Sequence, residues 1–215
     1  PIDSMASCYD TRAELRCPQI APPVVDGEIS ADEWGRAAAL GAFYRHSDGA
    51  IVDRGPTVFH GWSEQGLHIA VTVPIPEGRE LLVAATGRDE PVFRDDSVEV
   101  FISPRESDVY QLVVNPIGAL QDLHNDDMEW DAEAEVAGGV ADDGQRWTAE
   151  MTIPPGDLAL DSLQASGEMR VNIAANRGRP WAVLAPTVGG KFNRPDLFLT
   201  LRLLEGHEPY ARLTG

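Results

Sequence analysis

Hydrophobic and polar residues alternate with a period of two along much of this chain. Between 67 and 73, Leu67, Ile69, Val71 and Val73 fall on one side, with His68, Ala70 and Thr72 on the other. Val98, Val100 and Ile102 alternate with Ser97, Glu99, Phe101 and Ser103, and Trp147, Ala149, Met151 and Ile153 with Thr148, Glu150 and Thr152. Met169, Val171 and Ile173 alternate with Arg170 and Asn172, and Leu197, Leu199, Leu201 and Leu203 with Phe198, Thr200 and Arg202. This period predicts strands with one face turned to a core. Weaker runs at 57–62, 109–115, 119–123 and 132–136 predict further strands, separated by Gly, Pro and Asp turns. Ser30 and Glu33 form an S-x-x-E capping box, in which each side chain satisfies the other residue's backbone N–H. A short helix through Trp34, Ala37 and Ala38, stopped near Gly41, should follow. About nine strands with one short N-terminal helix predict an all-β fold, an antiparallel β-sandwich of jelly-roll or immunoglobulin-like form.

The alternation sets the expected boundaries. Residues 1–22 lack periodicity and run into Ala21, Pro22 and Pro23, so they are expected to be an arm or linker. Residues 23–205 should form the sandwich and 206–215 a tail. A chain that opens on Pro1 without methionine is expected of a processed or excised product. Cys8 and Cys17 both lie in the predicted arm, and either a small disulfide loop or two free thiols would suit their spacing.

Composition narrows the partners. The 215 residues carry 17 basic and 35 acidic side chains, a net charge of −18, with 43% hydrophobic residues. That hydrophobic share belongs to a folded protein. The charge repels nucleic-acid backbones and anionic membranes, and no apolar run reaches the ~20 residues of a membrane span. Residues 106–145 hold 11 Asp or Glu and no Lys or Arg, so this window supplies −11 of the total. It is either a set of solvated loops or a place that collects cations. Hard oxygen ligands for Ca²⁺ are offered by 122–131, with Asp122, Asp126, Asp127 and Asp131 as candidates, although the spacing is not that of an EF-hand.

The chain carries no G-x-S-x-G, H-E-x-x-H, P-loop or G-x-G-x-x-G motif. The histidines His46, His60, His68, His124 and His207 have no metal-ligand spacing. Paired carboxylates for glycoside hydrolysis would have to come from Asp95, Asp96 and Glu99, or from Glu129, Glu133 and Glu135. A haem-binding domain would need an axial Met, His or Lys, and alternation places Met151 and Met169 on core faces.

Several short motifs occur in a telling order. They are Val25-Asp26-Gly27-Glu28, Glu33-Trp34, Asp95-Asp96-Ser97-Val98-Glu99-Val100-Phe101-Ile102, and Gln111 to Asn115 with Pro116 and Gly118. After these come Trp147-Thr148-Ala149-Glu150, Ile153-Pro154, Val171-Asn172-Ile173, Asn176-Arg177 and Phe192-Asn193-Arg194-Pro195. In this order the chain resembles the family 9 carbohydrate-binding modules from about residue 23 to 204.

The resemblance implies a non-catalytic sandwich, with bound calcium, that grips the end of an oligo- or polysaccharide between two aromatic side chains. It also implies a parent protein that is secreted or envelope-bound and has further domains. By position the two aromatics are Phe93 and Phe192, where the characterised sugar binders carry Trp; Trp181 is a substitute or a packing plug. Glu99 corresponds to the family's acidic hydroxyl acceptor, or is an ordinary exposed strand Glu. Gln111 shares a face with Val113, at whose place sugar binders can carry a basic residue. Asn115 would bond a hydroxyl or open the turn at Pro116. Asn176 and Arg177 precede the last loop, where Arg would suit hydroxyls or an acidic sugar. A glycoside-active enzyme and an interaction-only domain of the same fold are the alternatives.

Overall fold

A computed structural model describes residues 14–105, 108–178 and 181–205. In chain order the strands are β1 (Glu14–Cys17), β2 (Ala38–Leu40), β3 (Tyr44–Arg45), β4 (Thr57–Ser63), β5 (Gly66–Pro74), β6 (Ser97–Arg105) and β7 (Asp108–Val114). After these come β8 (Leu120–His124), β9 (Glu135–Val140), β10 (Arg146–Ile153), β11 (Glu168–Asn176), β12 (Ala182–Val183) and β13 (Leu199–Leu203). One sheet has the order β2-β4-β5-β10-β9. The other runs β1-β13-β11-β6-β7-β8, with β12 joining β11 to β3. Every paired strand is antiparallel except β1, which lies parallel to β13. The predicted antiparallel β-sandwich is therefore the fold.

The period-two residues do what alternation requires. Val98, Val100 and Ile102 from one sheet meet Ile69, Val71, Ala149 and Met151 from the other in a single core. Trp147, Leu112, Ile153 and Leu67 are fully buried there. Each such aliphatic side chain contributes about 1.5–3 kcal/mol by leaving water. Met151 and Met169 belong to this core, so neither reaches an open iron site. Among the described residues no helix is long and apolar enough to cross a bilayer.

Several boundaries differ from those the pattern predicts. The supposed arm contributes β1, which pairs Leu15 with Leu201 and Cys17 with Leu203, so the sandwich begins by Glu14. Cys17 is a free thiol buried in the core, where loss of water pushes its pKa up; Cys8, His207 and the tail 206–215 lie outside the described residues. The first helix, α1, is one turn, Ala31–Trp34, and Ala38 is already in β2, paired with His60. Ser30 Oγ caps Glu33 N–H at 3.4 Å, but the Glu33 carboxylate takes the Ser30 hydroxyl and Val24 N–H in place of Ser30 N–H. What ends α1 is tertiary: Trp34 packs with Ile20 and Ala70 on the outer face of the smaller sheet, and its Nε1–H donates to buried Glu150 at 2.7 Å. A second one-turn helix, α2 (Leu163–Ser166), is capped by Ser162. The run predicted at 132–136 is shifted to β9, and Leu197 sits in a 3-10 turn ahead of β13.

Candidate functional site

The outer face of the larger sheet carries most of the expected binding residues, because alternation that buries Val98, Val100 and Ile102 turns Glu99 and Phe101 outward. The register places Glu99 between Ala174 of β11 and Val113 of β7, and Val113 in turn beside Gln121 of β8. One row therefore reads Ala174, Glu99, Val113, Gln121. The next row reads Asn172, Phe101, Gln111, Leu123.

Glu99 stands where two outer apolar clusters meet. Val113 joins Ala85, Val92 and Ala119, while Ala174 joins Phe101, Val109, Val183 and Phe198. These neighbours leave Glu99 only 4% exposed. Its carboxylate accepts a hydrogen bond from Gln111 Nε2 at 2.9 Å. Desolvation outweighs that bond and pushes the Glu99 pKa up to about 7. Glu99 is thus no ordinary exposed strand glutamate.

Phe93 lies in the 3-10 turn Val92–Arg94 that leads into β6, and the residue is 42% exposed. The turn is tied down from below. Val92 is buried, Asn176 Nδ2 donates to Asp95 O at 2.6 Å and to Phe93 O at 3.4 Å, and Gln121 Oε1 accepts Phe93 N–H at 3.5 Å. The Arg94 guanidinium sits 5.5 Å from the Phe93 ring centre. The second aromatic surface is a packed group. Phe192 contacts Trp181 at 5.0 Å between ring centres, His46 at 4.4 Å and Phe101 at 6.3 Å. Phe192 and Trp181 therefore form one half-buried wall together, with Trp181 both a packing residue and part of the surface. Burial lowers the His46 pKa, and its ring Nδ1 pairs with Thr187 Oγ1 at 3.0 Å.

Three expected residues have other work. Asn115 is fully buried: Nδ2 donates to Ala85 O and Asp95, and Oδ1 accepts Ile117 and Ala119 N–H, so it builds the turn and is withdrawn from sugar contact. Asn176 acts through its hold on the Phe93 turn. Arg177 points away to an end of the sandwich, where it lines a recess of about 790 Å³ with Arg54 and Arg79 and donates to Arg54 O at 3.3 Å. Gln121, which the pattern missed, joins this outer row from β8, where it is 3% exposed and its Oε1 holds the Phe93 N–H; its place after buried Leu120 in a predicted strand is the signal for its side of the sheet.

The acids proposed for hydrolysis are accounted for in the same way. Asp95 accepts Ala84 N–H, Ala85 N–H and Asn115 Nδ2, and Asp96 accepts Leu82 N–H and pairs with Arg79 at 2.6 Å. Both are 1% exposed. Glu129, Glu133 and Glu135 are exposed, and Glu135 belongs to the other sheet.

The expected calcium ligands separate into two groups. Asp126 and Asp127 lie in an exposed turn, where Asp127 accepts Glu129 N–H at 3.0 Å. Asp122 and Asp131 do come together, with Asp89, one carboxylate oxygen of each lying within 4.8 Å of the other two. However, the Arg88 guanidinium bridges Asp122 and Asp131 and donates to Ala132 O at 2.8 Å. A positive group already lies on two of the three carboxylates, so this set does not fit a calcium ion beside it.

No protein-family model and no curated protein matches this sequence. Solved structures do match in fold. A provisionally named carbohydrate-binding protein from Bacteroides uniformis superposes with a TM-score of 0.72 at 16% identity, covering 90% of this chain and all of its own. A family 9 carbohydrate-binding module from Caldicellulosiruptor kristjanssonii, solved with cellotriose, superposes with a TM-score of 0.66 at 16% identity, covering 91% of this chain and 96% of its own. At that identity the likeness is one of fold: the chain is a β-sandwich built like a family 9 carbohydrate-binding module.

Proposed function

We propose that this protein is a non-catalytic carbohydrate-binding module that holds an oligosaccharide on the outer face of the larger sheet, around Glu99. The observation that carries the reading is Glu99 itself, a nearly buried carboxylate braced by Gln111 and set among apolar and aromatic groups. Sugars present alternating C–H faces and hydroxyls. The C–H faces stack on rings such as Phe93 and Trp181, and the hydroxyls donate to a planar acceptor such as Glu99 or bond the amide of Gln111. Cello-oligosaccharides are the first ligands to test, because the structurally similar Caldicellulosiruptor module was solved with cellotriose. Binding is favoured over hydrolysis because Asp95 and Asp96, the acids nearest Glu99 in sequence, are spent on backbone and side-chain partners. A parent chain exported to the envelope or medium suits such a module, and fractionating the producing cells tests that address.

Titration calorimetry with a panel of neutral oligosaccharides should give heats of binding and no new reducing ends on prolonged incubation. Phe93→Ala removes an exposed stacking face and should weaken binding by roughly tenfold. Failure of every glycan to bind, or release of sugar abolished by Glu99→Gln, overturns the proposal.

A further inference from the structure

We infer that Arg88 is the resident cation of the Asp89, Asp122 and Asp131 cage, standing where a divalent ion would otherwise have to sit. The cage joins three segments distant in sequence: the turn bearing Arg88 and Asp89, strand β8 bearing Asp122, and the loop bearing Asp131 and Ala132. Asp122 is fully buried, and a buried carboxylate needs a partner of opposite charge. Arg88 supplies it through a fork: Nη2 donates to Asp122 Oδ2 and to Ala132 O, and Nε donates to Asp131 Oδ1 at 3.0 Å. Ala132 N–H donates to the same Asp122 oxygen. One guanidinium therefore ties the three segments together, which is the structural work of a bound calcium ion.

The cage nevertheless keeps the character of a cation site. Three carboxylates face one arginine, leaving a local excess of negative charge. Asp122 Oδ1 is buried without a hydrogen-bond partner, a lone pair that the guanidinium does not reach. Nearby Asp157 has a second such oxygen, Oδ2, while its Oδ1 accepts Glu133 N–H at 3.0 Å. The cage is open to solvent, since the Arg88 side chain is 39% and that of Asp131 70% exposed. The turn that presents Arg88 does not depend on the guanidinium: Glu90 accepts Thr86 and Gly87 N–H, and Asp89 N–H donates to Leu120 O at 3.0 Å. Removing the side chain should therefore leave the carboxylates in place with their charge uncompensated, an arrangement to which hard divalent cations bind.

Thermal unfolding and titration calorimetry of the whole chain, with EDTA or with CaCl₂, test the inference. The wild type should unfold at the same temperature in both and give no calcium heat. Arg88→Ala should melt several degrees lower in EDTA. It should bind calcium, and regain on the order of 5 °C when the ion is about a hundredfold above its Kd. Adding Asp131→Asn to Arg88→Ala should remove that response. Calcium binding by the wild type, or destabilisation of the wild type by EDTA, overturns the inference whether or not the variant folds. An Arg88→Ala protein that is indifferent to calcium, or that stays unfolded in its presence, overturns it too.

Discussion

Replacing Glu99 by Gln should make the protein more stable above neutral pH, and the size of the effect follows from where Glu99 lies. Its pKa is pushed up to about 7 from an ordinary 4.5, chiefly by desolvation on the outer sheet face. Between those values the folded protein keeps a proton that the unfolded chain has released. Stability therefore falls as pH rises through this window, by up to about 1.4 kcal/mol per unit. Over the whole window the cost sums to about 3 kcal/mol, fully present above the folded value and gone below the unfolded one. Glutamine has nearly the same shape and keeps an oxygen for the Gln111 N–H, but it bears no charge. Its added N–H₂ group costs about 1 kcal/mol if it finds no partner, a constant offset independent of pH. Urea unfolding of both proteins should show the variant gaining about 3 kcal/mol on the wild type between about pH 4 and about pH 8. That gain corresponds to roughly 6–12 °C in Tm for a chain of this size. Asp122, Glu150 and Asp157 also have raised pKa values, but they are common to both proteins and cancel in the difference. Two stability curves that stay parallel across this range would refute the burial argument for Glu99, and with it the electrostatic description of the site.

Two further substitutions probe the scaffold. Trp34→Phe removes the indole N–H that donates to buried Glu150 at 2.7 Å and leaves the carboxylate with only backbone donors from Gly27 and Asp26. Chemical denaturation should show a loss of about 1–3 kcal/mol. At Gly138 a Cβ would meet Asn115 O at 2.5 Å and Gly118 N and Pro116 C at 2.6 Å, all backbone atoms. Gly138→Ala should therefore cost at least about 1–3 kcal/mol by overpacking, read as a lower Tm, whereas at Gly156, where a Cβ meets nothing within 4 Å, crowding adds no cost.

The strands at 67–73, 98–102, 147–153 and 169–173 were legible because each has one dry face, and a residue's side follows from its parity along the strand. The same parity placed Glu99 and Gln111 on a shared outer face. Parity has no purchase on short or edge segments. β1 is four residues with no clean alternation, and it exists because β13 offers it an edge; α1 stops after one turn because β4 captures Ala38. The chemistry of the polar residues was still less legible. Asn115 and Asn176 look alike in sequence to amides free for a ligand, yet one is spent on a turn and the other on the Phe93 backbone. Asp122 and Asp131 could be grouped by their spacing, but Asp89 and Arg88 lie more than thirty positions away and reach them only through β-sheet pairing and loop packing. Local periodicity, a property of neighbouring residues, determined the strands, the core and the outward row at Glu99. Which acid pairs with which arginine, which amide is already satisfied, and which carboxylate loses its water depend on contacts between distant segments, and only the tertiary structure decided them.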